Sequence, residues 1–264
     1  MSYIDENKAA WEEAFDNRRP GWGENNHLRL KAEKFALFDD DMKRTLEGMD
    51  LRGKTLAQFC CNNGRELLSL MDSGASAGVG FDIAENIIAQ ARETAGKAGI
   101  TNCEFVACNI LDIPESYYGR FDLILFTVGS ISWFEDLALL FAKTASCLKA
   151  GGVVLINHFH PMMAMLPKPW DSTYDPKDLR RVAYSYFNRD PWVENRGRDY
   201  MSGEYASKTF TDFPQTMSDV INALGACGLK TFRLDEHDYD VGMTDAYDGK
   251  GFPLSFTLIA EKSS

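Results

Sequence analysis

Apolar residues fall at helical spacing along the first fifty positions and then gather into runs of strand length. Leu28, Leu30, Phe35, Leu37, Phe38, Met42 and Leu46 follow the helical period. They predict helices over residues 6–15 and 27–47. Arg18-Arg19-Pro20-Gly21-Trp22-Gly23 lies between them as a breaker. From Lys54 onward, short apolar runs predict strands over 55–59, 77–81, 103–107, 121–126 and 153–157. Helical segments over 65–71, 84–97 and 134–148 alternate with them, and Gly151-Gly152 is expected to stop the last one. Such alternation predicts a parallel sheet with helices on both faces.

The rhythm breaks over residues 161–213, where ten aromatics gather between Trp170 and Phe213. A long irregular stretch in a compact domain is functional or disordered, and this aromatic content argues against disorder. A helix is expected over 215–227, then strands over 229–235 and 252–261. Too few residues separate these strands for a crossover helix, so they should pair antiparallel. The expected architecture is α/β: a doubly wound, seven-stranded, mostly parallel sheet ending in an antiparallel pair. We expect one domain over 1–264. It comprises an N-terminal helical segment (1–50), a core (51–160), an aromatic lid or substrate insert (161–213) and a C-terminal helix and strand pair (214–264).

Composition narrows the function. Of 264 residues, 45% are hydrophobic and 25% charged, enough for a sizeable core. The formal charge of −11 disfavours a nucleic-acid partner, because phosphate binding needs a surplus of Lys and Arg. No apolar run reaches membrane-helix length, and the first residues do not resemble a secretory signal. The six cysteines form no C-x-x-C, so no metal site is expected, and they read as reduced thiols of a cytoplasmic protein.

The chemistry concentrates after the first strand. Leu56-Ala57-Gln58-Phe59-Cys60-Cys61-Asn62-Asn63-Gly64-Arg65 runs from strand through turn to helix, and Asp82 closes the next strand 18 residues after Gly64. In a doubly wound sheet, ligands bind outside the strands' carboxyl ends, and an acid at that place suits two ribose hydroxyls. These segments resemble class I S-adenosylmethionine-dependent methyltransferases of small-molecule type. The family's first motif is roughly hydrophobic-x-D/E-x-G-x-G-x-G. Its acid falls on Gln58 and its glycines on Cys60, Asn62 and Gly64, so one glycine of three is kept. Asn tolerates a positive-φ turn, and a cofactor without phosphates does not need the backbone of a dinucleotide site.

The resemblance continues through Gly78-Val79-Gly80-Phe81-Asp82-Ile83, Phe105-Val106-Ala107-Cys108-Asn109-Ile110, the strand leading to Thr127, and Leu148-Lys149-Ala150-Gly151-Gly152. It covers about residues 50–160 and the C-terminal strand pair. It implies a Rossmann-like methyltransferase fold and an S-adenosyl-L-methionine cofactor leaving as S-adenosyl-L-homocysteine. The implied cofactor residues are Trp11, Phe59, Cys60, Asn62, Gly64, Asp82, Ile83, Asn109, Ile110 and Thr127. Asp82 would hold ribose, Ile83 would lie on adenine, and the Ile110 N–H would serve a ring nitrogen. Asn109 stands between adenine contact and an ordinary turn role.

A narrower similarity lies in Trp133-Phe134-Glu135-Asp136, His158-Phe159-His160-Pro161 and Glu236-His237, shared with some small-molecule methyltransferases. His160 and His158 share one face of an extended segment. They read either as a general base or as histidines hydrogen-bonded beneath the insert. Trp11, Arg18 and Trp22 would fold over the cofactor, with an aromatic face toward its sulfonium, or pack on the sheet. The expected reaction is methyl transfer to an O, N or S atom of a small-molecule acceptor. The alternatives are an NAD(P)-dependent oxidoreductase and an inactive S-adenosylmethionine-binding protein. The acceptor and the oligomeric state are left open.

Overall fold

The structure, a computed structural model, describes residues 2–198 and 200–263. Helices α1 (Tyr3–Asp16), α2 (Asn26–Ala32) and α3 (Asp40–Glu47) precede the sheet. The expected helix over 27–47 is thus two. Phe35 turns inward at φ 54° and is buried, and Asp39 restarts the helix by accepting the Met42 N–H at 2.8 Å.

The core follows as β1 (Thr55–Phe59), α4 (Arg65–Leu70), β2 (Ala77–Asp82), α5 (Glu85–Ala98), β3 (Cys103–Ala107), β4 (Phe121–Phe126), α6 (Leu137–Cys147) and β5 (Leu148–Phe159). The chain then forms two short ribbons. Strand β6 (Trp192–Glu194) pairs with β9 (Phe210–Asp212), and β7 (Gly197–Arg198) pairs with β8 (Gly203–Glu204). Helix α7 (Met217–Ala226) and strands β10 (Leu229–His237) and β11 (Ser255–Lys262) complete it.

The seven-stranded sheet runs β10-β11-β5-β4-β1-β2-β3. Strands β1 to β5 are parallel, whereas β11 is antiparallel to both β5 and β10. The expected Rossmann-like architecture is therefore the observed one. Strand order reverses between β1 and β4, and a crevice opens at the carboxyl ends on either side of such a reversal. Alternate residues feed two cores. Phe59, Phe81, Phe126 and Ile156 pack toward α6 and α7, while Leu56, Leu123, Leu125 and Leu155 pack with Leu67, Leu68 and Ile88 of α4 and α5.

One turn departs from expectation. Helix α6 ends at Cys147 and β5 begins at once, so Gly151-Gly152 is no helix stop. Register against β4 slips from Phe121↔Leu148 to Leu123↔Val153, so residues 149–152 bulge, with Gly151 at φ 69°.

Side chains of α1 fasten the insert. Asn7 Nδ2 donates to the Thr211 carbonyl at 2.8 Å, and Thr211 N–H donates to Asn7 Oδ1 at 2.7 Å, both buried. The amide thus acts as a strand partner for β9. Phe213 N–H donates to the Ser132 carbonyl at 2.8 Å, which ties the insert to the turn after β4.

Gly64 carries the steric demand of the first turn. Its φ is 71°, and an added Cβ would fall 2.3 Å from the Phe105 ring. Gly64→Ala should cost about 2–5 kcal/mol, from the left-handed backbone and from overpacking. Urea denaturation should give a lower midpoint at unchanged slope. A midpoint equal to wild type would contradict this packing.

Candidate active site

Four elements meet at the switch point: the turn after β1, the ends of β2 and β4, and the insert above them. In the turn, Cys60 at φ 53° and Asn62 at φ 48° supply the left-handed conformations that glycine would give. Asn62 Oδ1 accepts the Asn63 N–H at 2.8 Å, a local bond that helps Asn hold such a turn. Burial pushes the Cys60 and Cys61 thiols well above their usual range, so they shape the backbone and offer no ready thiolate.

Gln58 stands where the family motif has an acid. Its side chain is fully buried. Gln58 Oε1 accepts the Leu67 N–H of α4 at 3.0 Å, and its Nε2 donates to Thr127 Oγ1 at 2.9 Å. Asp82 accepts the Asn62 N–H at 2.8 Å and the Ala84 N–H at 3.1 Å. Burial raises its carboxyl above the ordinary value, against these N–H bonds that pull it down. A carboxylate offers about four lone-pair sites, so Asp82 keeps acceptor capacity.

The insert packs beside these strand ends, with Met201 and Phe210 against Ala84 and Ile87. Tyr200 keeps 52% of its surface exposed, yet its hydroxyl is pushed up to about 12 by burial. The ring is thus half-exposed while neighbouring atoms crowd its hydroxyl. It lies within electrostatic reach of Arg198, Arg65, Asp82 and Glu66. Beside it, Trp11 packs edge-on against Trp133 and Phe210 with ring centres 5.4 Å apart in both pairs. Trp22 lies 6.3 Å from Tyr200. Two surface hollows of about 300 and 600 Å³ lie elsewhere, one beside Leu30 and Ile100, the other along β3 by Glu85 and Tyr117.

The remaining expected residues divide. Ile83 and Ile110 stand at the ends of β2 and β3, and the Ile110 N–H opens a tight turn that supplies it no partner. Phe59 does not line the recess; it is fully buried between Phe81 and Phe126. Asn109 takes the turn role, with Oδ1 accepting the Leu111 N–H at 3.2 Å and Nδ2 donating to Asp112 at 2.8 Å. The Arg18 guanidinium sits 4.0 Å from the Phe15 ring and donates to the Phe15 carbonyl.

Neither histidine is a free base. His160 Nδ1 accepts the Met162 N–H at 3.0 Å, so its Nε2 bears the proton and faces Glu236 Oε1 at 2.9 Å. His158 is buried, and its Nδ1 pairs with the Phe159 carbonyl at 3.0 Å. The Gly129 backbone also lies beside its ring, and Nε2 is closed off from solvent without a well-formed hydrogen bond among the described residues. Burial lowers His158 to about 4. Among the described residues, no three His, Cys, Asp or Glu side chains gather as metal ligands, and no helix is long and apolar enough to cross a membrane.

A family model described as a methyltransferase domain matches residues 53–189. The chain belongs to this methyltransferase family. It is similar to demethylmenaquinone methyltransferase of Lactococcus lactis, 24% identical over 173 residues, which cover 63% of this chain and 68% of that protein. Its fold is that of an S-adenosylmethionine-dependent methyltransferase from Mesorhizobium loti (TM-score 0.60, 18% identity, 88% of this chain and 99% of that one). It is also that of geranyl diphosphate C-methyltransferase from Streptomyces coelicolor, solved with Mg2+, geranyl diphosphate and S-adenosyl-L-homocysteine (TM-score 0.62, 13% identity, 99% and 98%). The chain is therefore an enzyme of the class I S-adenosylmethionine-dependent methyltransferases, with S-adenosylmethionine as its methyl donor. This overrules the oxidoreductase and inactive-protein alternatives. The chemistry of the recess fits that donor: a carboxylate with acceptor capacity left, apolar side chains at two strand ends, and no glycine run for a pyrophosphate.

Sequence reasoning missed Arg198 and Tyr200, and it singled out Glu236 without pairing it with His160. The insert's aromatic richness was the available signal, and it pointed to the segment but not to its polar residues.

His158 makes the methyltransferase's stability depend on pH. Unfolded, this histidine titrates near its ordinary 6.5; folded, near 4. The unfolded chain takes the proton first, so stability is full above about pH 6.5 and falls as pH drops toward 4. Between about pH 7.5 and 4.5, wild type should lose about 2–3 kcal/mol more than His158→Asn. Urea denaturation at the two pH values measures this, and equal losses would refute it.

Proposed function

We propose that the enzyme transfers the methyl group of S-adenosylmethionine to an O, N or S atom of a small molecule. The observation that carries this reading is the aromatic cluster packed beside the strand ends. Trp11, Trp133 and Phe210 from three separate elements close against one another there, and Asn7 pins β9 beneath α1. Packed aromatics beside the strand ends suit a small molecule held among side chains, not a polymer lying across a surface. The charge of −11 also disfavours nucleic acid. The Streptomyces coelicolor neighbour holds geranyl diphosphate, a small molecule.

The residues take these roles. Cys60, Asn62 and Gly64 shape the turn that the cofactor lies against. Asp82 accepts from two ribose hydroxyls, Ile83 lies on the base, and the Ile110 N–H meets a ring nitrogen. Thr127 already receives the Gln58 amide, so its hydroxyl hydrogen is free to donate into the site. When bound, the donor supplies a methyl group activated on a sulfonium. The chain's contribution is to hold the acceptor in line with it, which accounts for much of such an acceleration. His160 orders the turn after β5. His158, with Nε2 closed off from solvent and the ring lowered to about 4, is a weak base that suits only an acceptor that loses its proton easily.

Two measurements test this. Ligand at 100 times its Kd adds ~2.7 kcal/mol, which for this length raises the unfolding midpoint by roughly 5–10 °C. S-adenosylhomocysteine should give that rise and NAD none. Asp82→Ala should weaken S-adenosylhomocysteine roughly 10- to 100-fold by calorimetry, for loss of charged hydrogen bonds. With radiolabelled methyl donor, label should pass to the low-molecular-weight fraction of a cell extract. Label found only in its protein or nucleic-acid fraction would overturn the small-molecule reading.

A further inference from the structure

Arg198 lies on β7 with its guanidinium over three rings. It is 4.0 Å from the centre of Phe210, 5.0 Å from Trp133 and 5.6 Å from Trp11. Aromatic faces favour a cation but accept no ordinary hydrogen bond. Nη1 reaches Glu194 Oε2 at a long 3.4 Å. Nε and Nη2 are buried and have no hydrogen-bond partner among the described residues. A buried donor left without an acceptor is costly, the more so on a charged group.

The two unmet nitrogens are not scattered. Nε–H and Nη2–H lie along one edge of the planar guanidinium and point the same way. That edge is the fork that takes the two oxygens of a carboxylate side by side. Its surroundings explain why no internal carboxylate fills it. Glu194 sits at the opposite nitrogen, and Asp212, though within electrostatic reach, makes no hydrogen bond to the guanidinium and is raised to about 6 by burial. The rings around its guanidinium pack with Ala84, two residues after Asp82, which sets Arg198 beside the recess. Trp133 links it to the turn after β4, where the acceptor would lie.

We propose that Arg198 is an anion-recognition residue of the active site, whose Nε–Nη2 edge binds the carboxylate of a molecule seated in the recess. This rests on the methyltransferase reading. Two molecules can bring that group: the methyl donor through its amino-acid end, or an acidic acceptor. In the first turn of α4, Gln58 already takes the Leu67 N–H.

The test compares ligands that differ at the carboxylate. Full-length wild type, Arg198→Lys and Arg198→Met are titrated with S-adenosylhomocysteine and with 5′-methylthioadenosine, which lacks the amino-acid end. The proteins loaded with S-adenosylhomocysteine are then titrated with benzoate and with neutral benzamide. If the fork holds the donor, wild type prefers S-adenosylhomocysteine by at least about tenfold. Both variants then lose that preference while binding methylthioadenosine as wild type does, which also shows them folded. If it holds the acceptor, S-adenosylhomocysteine affinity is unchanged, and loaded wild type alone prefers benzoate to benzamide. Wild type that discriminates in neither pair, or variants that discriminate as wild type does, would overturn the assignment. Wild type that binds neither adenosyl compound would fail the methyltransferase reading itself, a different outcome.

Discussion

The buried amide of Gln58 joins the three elements on which the site depends. Its oxygen fixes the first turn of α4 and its nitrogen fixes Thr127 at the end of β4, while its own backbone belongs to β1. The strand order reverses between the parallel neighbours β1 and β4, so a loose contact here would let the crevice walls drift apart. An amide meets both needs without charge. A carboxylate in the same buried place would carry a desolvation cost that these two contacts must offset. The amide also leaves the Thr127 hydroxyl hydrogen uncommitted, where a carboxylate would draw it inward. The departure from the family motif at Gln58 therefore redirects one donor and leaves the framework intact.

The insert depends on this framework in turn. Asn7 imitates a strand partner for Thr211, and Phe213 is tied to Ser132 beside the β4 exit. The insert is thereby fastened to α1 on one side and to the sheet on the other. Its ribbons are only two or three residues long and would not persist alone. Their order comes from these anchors and from the aromatic cluster beneath them.

The sheet was legible because parallel strands buried on both faces read as plain apolar runs. Residues 55–59, 103–107 and 121–126 match β1, β3 and β4 to the residue. The bulge at 149–152 was not, since a glycine pair after a helix signals a stop equally well, and the register slip is settled by pairing with β4. The helix expected over 27–47 failed at Phe35, whose inward turn follows from the second core and not from local spacing. At the site, Asp82 and Gly64 stood out because turn and strand fix their places. Phe59 was misplaced for a related reason: motif position told which strand end it occupied but not which face its ring would take. Arg198 had no signature at all. Its surroundings come from α1, the turn after β4 and β9, far apart in sequence, and only folding brings them to one guanidinium.

The histidines bear on what acceptor the enzyme can use. A base acts well when its pKa lies near the working pH. His160 has both nitrogens engaged, and His158 is held neutral by burial far below that range. On the proposed reading, catalysis then falls to placement: the acceptor must arrive as a nucleophile already, or lose its proton as the bond forms. An amine or a thiol near its own pKa meets that condition more easily than an alcohol. If the fork of Arg198 serves the acceptor, one end of that molecule is anionic and the other nucleophilic. The bidentate grip would then set the line of attack, a task for which a planar fork is better suited than a single point charge.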